Sequence, residues 1–93
     1  MLTSHARFET PNGSKYLPQL CKHFGHKVEV EYDETRGRAA LPPGPAELTA
    51  DDGGLHMTVS AGDEEGLGRA RHIVEDHLKR FAFREEFDAL DWR

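Results

Sequence analysis

A two-layer α+β sandwich is what the sequence predicts, in the order β-α-β-β-β-β-α, with both helices on one face of a curved antiparallel sheet. Three observations predict it. Two stretches, beginning near Ser14 and Asp63, repeat apolar residues at helical spacing, and five shorter ones suit strands, most clearly where apolar and polar residues alternate. Gly- and Pro-rich connections between the middle strands are short enough for a meander. The most economical closure of this order buries both apolar helix stripes against one sheet face.

Taken in order, Ser4 to Thr10 puts Ala6, Phe8 and Thr10 on one side and His5, Arg7 and Glu9 on the other, and Pro11-Asn12-Gly13 ends this strand. From Ser14, Leu17, Leu20, Cys21 and Phe24 recur at i, i+3, i+4 and i+7, with Gly25 placed as a left-handed stop. Pro18 is awkward: it suits the first turn, but a helix already hydrogen-bonded at Asn12 would have to kink there. Lys27 to Asp33 alternates with Val28, Val30 and Tyr32 inward, and Arg36-Gly37 is expected to turn the chain. Arg38 to Leu41, Ala46 to Ala50 and Leu55 to Ala61 complete the strands, separated by Pro42-Pro43-Gly44-Pro45 and Asp51-Asp52-Gly53-Gly54. Asp63 caps the last helix, whose core face is Leu67, Ala70, Val74, Leu78 and Phe81, and Gly66 and Gly68 should fray its first turn.

At 93 residues the chain makes one domain, residues 1–93, with a thin core. Cys21 is the only cysteine, so packing alone must stabilise it, which fits a reducing compartment. No signal-type or membrane-spanning apolar run occurs, and a soluble cytoplasmic protein with no membrane association is expected. The net charge of −5 is uneven: Met1 to Lys27 carries +3, Val28 to Glu65 carries −8 and Gly66 to Arg93 is balanced. A sheet built from that acidic middle repels phosphates and presents no aromatic pair for base stacking, so no nucleic acid is expected as a partner.

Tyr16-Leu17, Leu20-Cys21-Lys22-His23-Phe24-Gly25-His26-Lys27, Asp76-His77-Leu78, Arg80-Phe81-Ala82-Phe83-Arg84-Glu85 and Asp91-Trp92-Arg93 together resemble the bacterial DUF2218 domain, over nearly the whole chain. The resemblance implies a domain of unknown function, with no catalytic or binding residues to carry over, found beside siderophore-interacting proteins. Its implied function is therefore no narrower than an accessory role in iron or siderophore handling.

The residues themselves offer four candidate binding positions. His77 lies beside Val74, Leu78 and Phe81 at the rim of the buried stripe, where a structural histidine bonded to backbone is the plainer reading. Arg80 and Arg84, one turn apart beside Phe81 and Phe83, could grip an anion or another subunit, or pair with Asp76, Glu85 or Asp88. His26, past the helix end, could swing back toward His23. The group Cys21, His23 and His26 looks like a metal cluster, but helical geometry puts Cys21 on the apolar face and His23 about 160° from it, so no metal and no cofactor are expected. Phe87, Leu90 and Trp92 should fold the tail over the core edge.

No nucleophile elbow, phosphate-binding glycine loop or zinc-protease helix occurs. The expectation is a small binding or accessory module, not an enzyme, acting on a protein partner or small ligand near the second helix, and able to dimerise through a sheet edge. The alternative is a metal-binding or enzymatic accessory using His77 or the Cys21, His23, His26 group.

Overall fold

The computed structural model describes residues 1–85 and 89–93. Five strands, β1 (Leu2–Glu9), β2 (Val30–Tyr32), β3 (Arg36–Ala39), β4 (Ala46–Asp51) and β5 (Gly54–Ala61), form one sheet in the order β1-β5-β4-β3-β2. Every neighbouring pair is antiparallel, with Leu2 opposite Ala61, Ala46 opposite Val59, Ala39 opposite Ala46 and Val30 opposite Ala39. Helix α1 (Gly13–Phe24) lies over β2, β3 and β4, and helix α2 (Glu64–Phe81) over β5 and β1. A short 3-10 turn, Phe83–Glu85, follows α2.

Alternation sets which sheet face is dry. Ala6 and Phe8 on β1, Ala46 and Leu48 on β4, and Leu55, Met57, Val59 and Ala61 on β5 are buried beneath the helices. The opposite face carries His5, Arg7, Arg38, Glu47 and Thr49 into solvent. From above, α1 contributes Tyr16, Leu17, Leu20, Cys21 and Phe24, and α2 contributes Leu67, Ala70, Val74 and Leu78. The predicted two-layer architecture, with both helices on one side, is the one observed.

Four details differ from expectation. The turn between β2 and β3 falls at Asp33–Thr35, not Arg36-Gly37, because the Asp33 carboxylate accepts from the Thr35 and Arg36 amides at 2.8 and 2.9 Å and closes the chain early. Strand β2 begins at Val30 instead of Lys27, because the Lys27 and Val28 amides donate back to the Phe24 carbonyl, and Tyr32, at the sheet edge opposite Gly37, is 44% exposed instead of inward. Gly25 is right-handed, with φ of −62°. Its value is space: a Cβ there would come 3.0 Å from Val30 Cγ2. Hydrogen bonding in α1 starts at the Asn12 carbonyl, which accepts from Lys15 and Tyr16, so Pro18 lies in the helix interior and denies the Ser14 carbonyl its usual donor.

Asp63 caps α2 as its position suggested, its Oδ1 accepting from the Gly66 amide at 2.7 Å with Glu64 and Glu65 in the first turn. The tail returns to the sheet. Arg93 exchanges backbone hydrogen bonds with His5 at 2.7 and 2.9 Å, and buried Ser4 donates to the Arg93 carbonyl while accepting from Arg71 Nε. Leu90 and Trp92 pack on the core as expected. Phe87, the third residue assigned to this contact, and Asp88 lie outside the described residues.

Candidate functional site

The helices run antiparallel, so the end of α1 meets the last turns of α2 and the start of α1 meets the 3-10 turn. At the first junction His23, His26 and His77 come together, with ring centroids 4.7 Å apart for His23 and His77 and 6.3 Å for His23 and His26. Phe24 meets His77 edge-on at 5.2 Å, and Phe81 meets His23 edge-on at 6.0 Å. His77 is half-buried, and its Nδ1 donates to the Ile73 carbonyl at 2.6 Å, so the neutral ring leaves Nε2 as an acceptor. Burial, with the charges of His77, His26, Arg80 and Lys27, lowers the pKa of His23.

Cys21 is fully buried beneath Gly37, facing away from the imidazoles, and burial pushes its thiol up to about 11. Among the described residues no three His, Cys, Asp or Glu side chains are placed to hold an ion together. The positive charges of Arg80 and Lys27 act on His23 and would oppose a dication beside it.

At the second junction an open cleft of about 360 Å³ is lined by Lys15, Tyr16 and Gln19 from α1 and by Arg80, Phe81, Phe83 and Arg84 from the end of α2. Arg80 pairs with Asp76 at 3.1 Å across one helical turn, as the spacing allowed, and Arg84 lies 5.6 Å over the Phe83 ring. Lys15 and Arg84 form no ion pair among the described residues. Phe83 is 66% exposed, so an apolar ring borders the cations in solvent. Arg80 and Phe81 belong to both junctions and join them into one basic, aromatic groove. Larger hollows, about 520 Å³, run along the outer sheet face, but there Glu31, Glu47, Arg36 and Arg38 intermix their charges.

A carboxylate latch holds the cleft's far wall. Glu85 accepts from the Tyr16 hydroxyl and, at 3.4 Å, from Asn12 Nδ2, beside the N-terminus of α1 where Asn12 makes no side-chain cap of its own. Burial alone would raise the Glu85 pKa, but hydrogen bonds from Tyr16, Thr10 and Asn12 and the charge of Lys15 outweigh it and hold it below the ordinary value. The latch is therefore fully stabilising above about pH 4.3 and is lost as pH falls through the lower folded value, a contribution of no more than about 1 kcal/mol after solvent screening. Glu85→Gln is expected to flatten the decline of melting temperature between about pH 5 and pH 3. Parallel wild-type and variant curves would refute the latch.

The four sequence-predicted positions are thus divided. His26 and His77 meet at one junction through His23, and Arg80 and Arg84 line the cleft at the other. Lys15, Gln19 and the Tyr16–Glu85 bond were not anticipated. The acid-free run from Gly13 to Val28, with three lysines and two histidines, was the available signal for a basic α1 surface.

Fold and groove together define a class: a small two-layer α+β domain whose helix layer carries an open basic and aromatic surface and whose core holds no enclosed reaction chamber among the described residues. The chain belongs to the family described as an uncharacterized protein conserved in bacteria (DUF2218), whose model matches residues 5–93. It is similar to a solved structure, the NMR structure of PA4090 from Pseudomonas aeruginosa, at 33% identity and a TM-score of 0.82, covering 100% of this chain and 96% of that one. No curated protein matches the chain. Among the described residues no helix is long and apolar enough to cross a membrane.

Proposed function

We propose that this domain is a binding module that takes a small anionic, aromatic ligand in the cleft between α1 and the end of α2. One observation carries this reading: Lys15, Arg80 and Arg84 converge around Tyr16, Phe81 and Phe83 in a chain whose net charge is −5. The guanidinium groups supply charge-assisted hydrogen bonds to a carboxylate or sulfonate, and the rings supply stacking area at low entropic cost. Gln19 adds a neutral donor and acceptor at the cleft wall. An iron complex of aromatic, acidic chelators belongs to the same chemical class, which is the form that the siderophore association implied by the resemblance would take here.

Anilinonaphthalene sulfonate, a fluorescent anionic aromatic, is the test probe, titrated well below the melting temperature, with a ferric catecholate complex in parallel. Replacing both Arg80 and Arg84 by alanine should weaken dye binding by about tenfold or more, roughly 1.4 kcal/mol. The melting temperature should hardly move, because both side chains are exposed and the Arg80–Asp76 pair is a solvent-facing one of small worth. Unchanged dye affinity in the double variant would remove the cleft as the binding site.

A further inference from the structure

We propose that ligand binding in this cleft is coupled to proton uptake by the neighbouring imidazole cluster, so that affinity for an anion rises as the protein is acidified. This rests on the cleft reading above and assigns its regulation to His23, His26 and His77.

The geometry supplies the coupling. Three imidazoles lie in sequence, His26 beside His23 and His23 beside His77, with centroids 6.3 and 4.7 Å apart. His23 also touches Phe81, whose ring forms part of the cleft wall, and Arg80 faces both His23 and the cleft. A ligand anion at Arg80 therefore lies within the range at which it alters the electrostatic potential on the cluster.

Each element packed around His23 contributes charge of one sign or a spent opposite charge. From α2 come His77 and Arg80; from the segment after α1 come His26 and Lys27. On α2 the carboxylate of Asp76, next to His77 in sequence, is already paired with Arg80. With no ligand, adding a proton to one ring opposes the other rings and both fixed cations, and this repulsion adds to burial in holding His23 below its ordinary value. An anion in the groove lowers that repulsion and makes protonation easier. By linkage, each proton that the anion helps to bind must in turn help to bind the anion.

His77 is the hinge of the arrangement. Its Nδ1 is committed to the Ile73 carbonyl, so an added proton goes to Nε2 and turns the ring into a second fixed cation without breaking the bond that orients it. No covalent step and no metal is involved; protons come from solvent.

An imidazolium within a solvated groove's reach of a bound sulfonate is worth roughly a few-fold in affinity. The sulfonate of anilinonaphthalene sulfonate stays ionised throughout, so its pH dependence reports the protein. Dye affinity should tighten about fivefold to tenfold from about pH 8 to about pH 5.5, and heats of binding measured in buffers of different ionisation enthalpy should show net proton uptake near pH 6.5. In His23→Gln/His77→Gln the tightening should largely vanish. Because half-buried His77 could be needed for folding, His23→Gln/His26→Gln, which alters only exposed rings, should halve the tightening or more.

The failures separate. Dye binding that depends on Arg80 and Arg84 but is flat with pH, or an unchanged pH profile in the histidine variants, overturns the coupling and leaves the cleft standing. Dye binding indifferent to the arginines overturns both.

Discussion

Leu78→Ala is expected to cost about 3 to 5 kcal/mol, the range for a leucine deleted from a close-packed interior. Leu78 is completely buried on α2, in the layer that joins both helices to the sheet. A domain of this size has only about 5 to 10 kcal/mol of net stability, so the variant should lose roughly a third of it or more. In urea the midpoint should fall by a matching fraction with the slope unchanged. A loss under about 1 kcal/mol would mean that the helices close over the cavity, which the thin core would then have to tolerate elsewhere.

Gly44→Ala is expected to cost more than about 2 kcal/mol by a different route, combining overpacking with loss of a turn hydrogen bond. Gly44 has φ of 159°, and a Cβ there would sit 1.7 Å from the Ser60 carbonyl oxygen and 3.1 Å from Ala61 Cα. Both obstacles are backbone of β5, so no rotamer can relieve them. The Pro42–Pro45 connection must lift instead, breaking the bond from the Ser60 amide to the Pro45 carbonyl. Gly68→Ala is the internal control: nothing lies within 4 Å of its Cβ position, and in mid-helix it should stabilise by about 0.5 to 1 kcal/mol. Thermal melts of the two variants should move in opposite directions. Movement in the same direction would discard the steric account.

Most of the architecture was readable because its causes are local. Alternation along Ala46–Asp51 and Gly54–Ala61 reflects one wet face, and the repeat Leu17, Leu20, Cys21, Phe24 reflects one dry stripe. The misplaced turn shows where pattern runs out: alternation continues through Asp33, and only that side chain's reach to two amides ends the strand. Gly25 marked the right residue for the wrong reason, since what it serves is the close approach of Val30, the first residue of β2.

The groove was half visible. Periodicity placed His77 at the rim of the core stripe, a statement about a single helix, whereas Arg84, expected one helical turn from Arg80, falls beyond α2 in the 3-10 turn. Contacts between helices are another matter. His23 meets His77 and Tyr16 meets Glu85 across 54 and 69 positions of sequence, and no local rule sets the sliding of one helix along another. That offset is decided by packing of the buried faces, and the charged groups above are carried to their places by it.

The return of Arg93 to His5 bears on assembly. Its amide and carbonyl occupy the open margin of β1 at His5, so another chain adding there must first displace it, whereas among the described residues no backbone segment pairs with the far margin of β2. Growth of a continuous ribbon needs two adhesive rims, one to receive and one to offer. With the β1 rim guarded at His5, a ribbon of copies joined rim to rim has no ready means of growing past it.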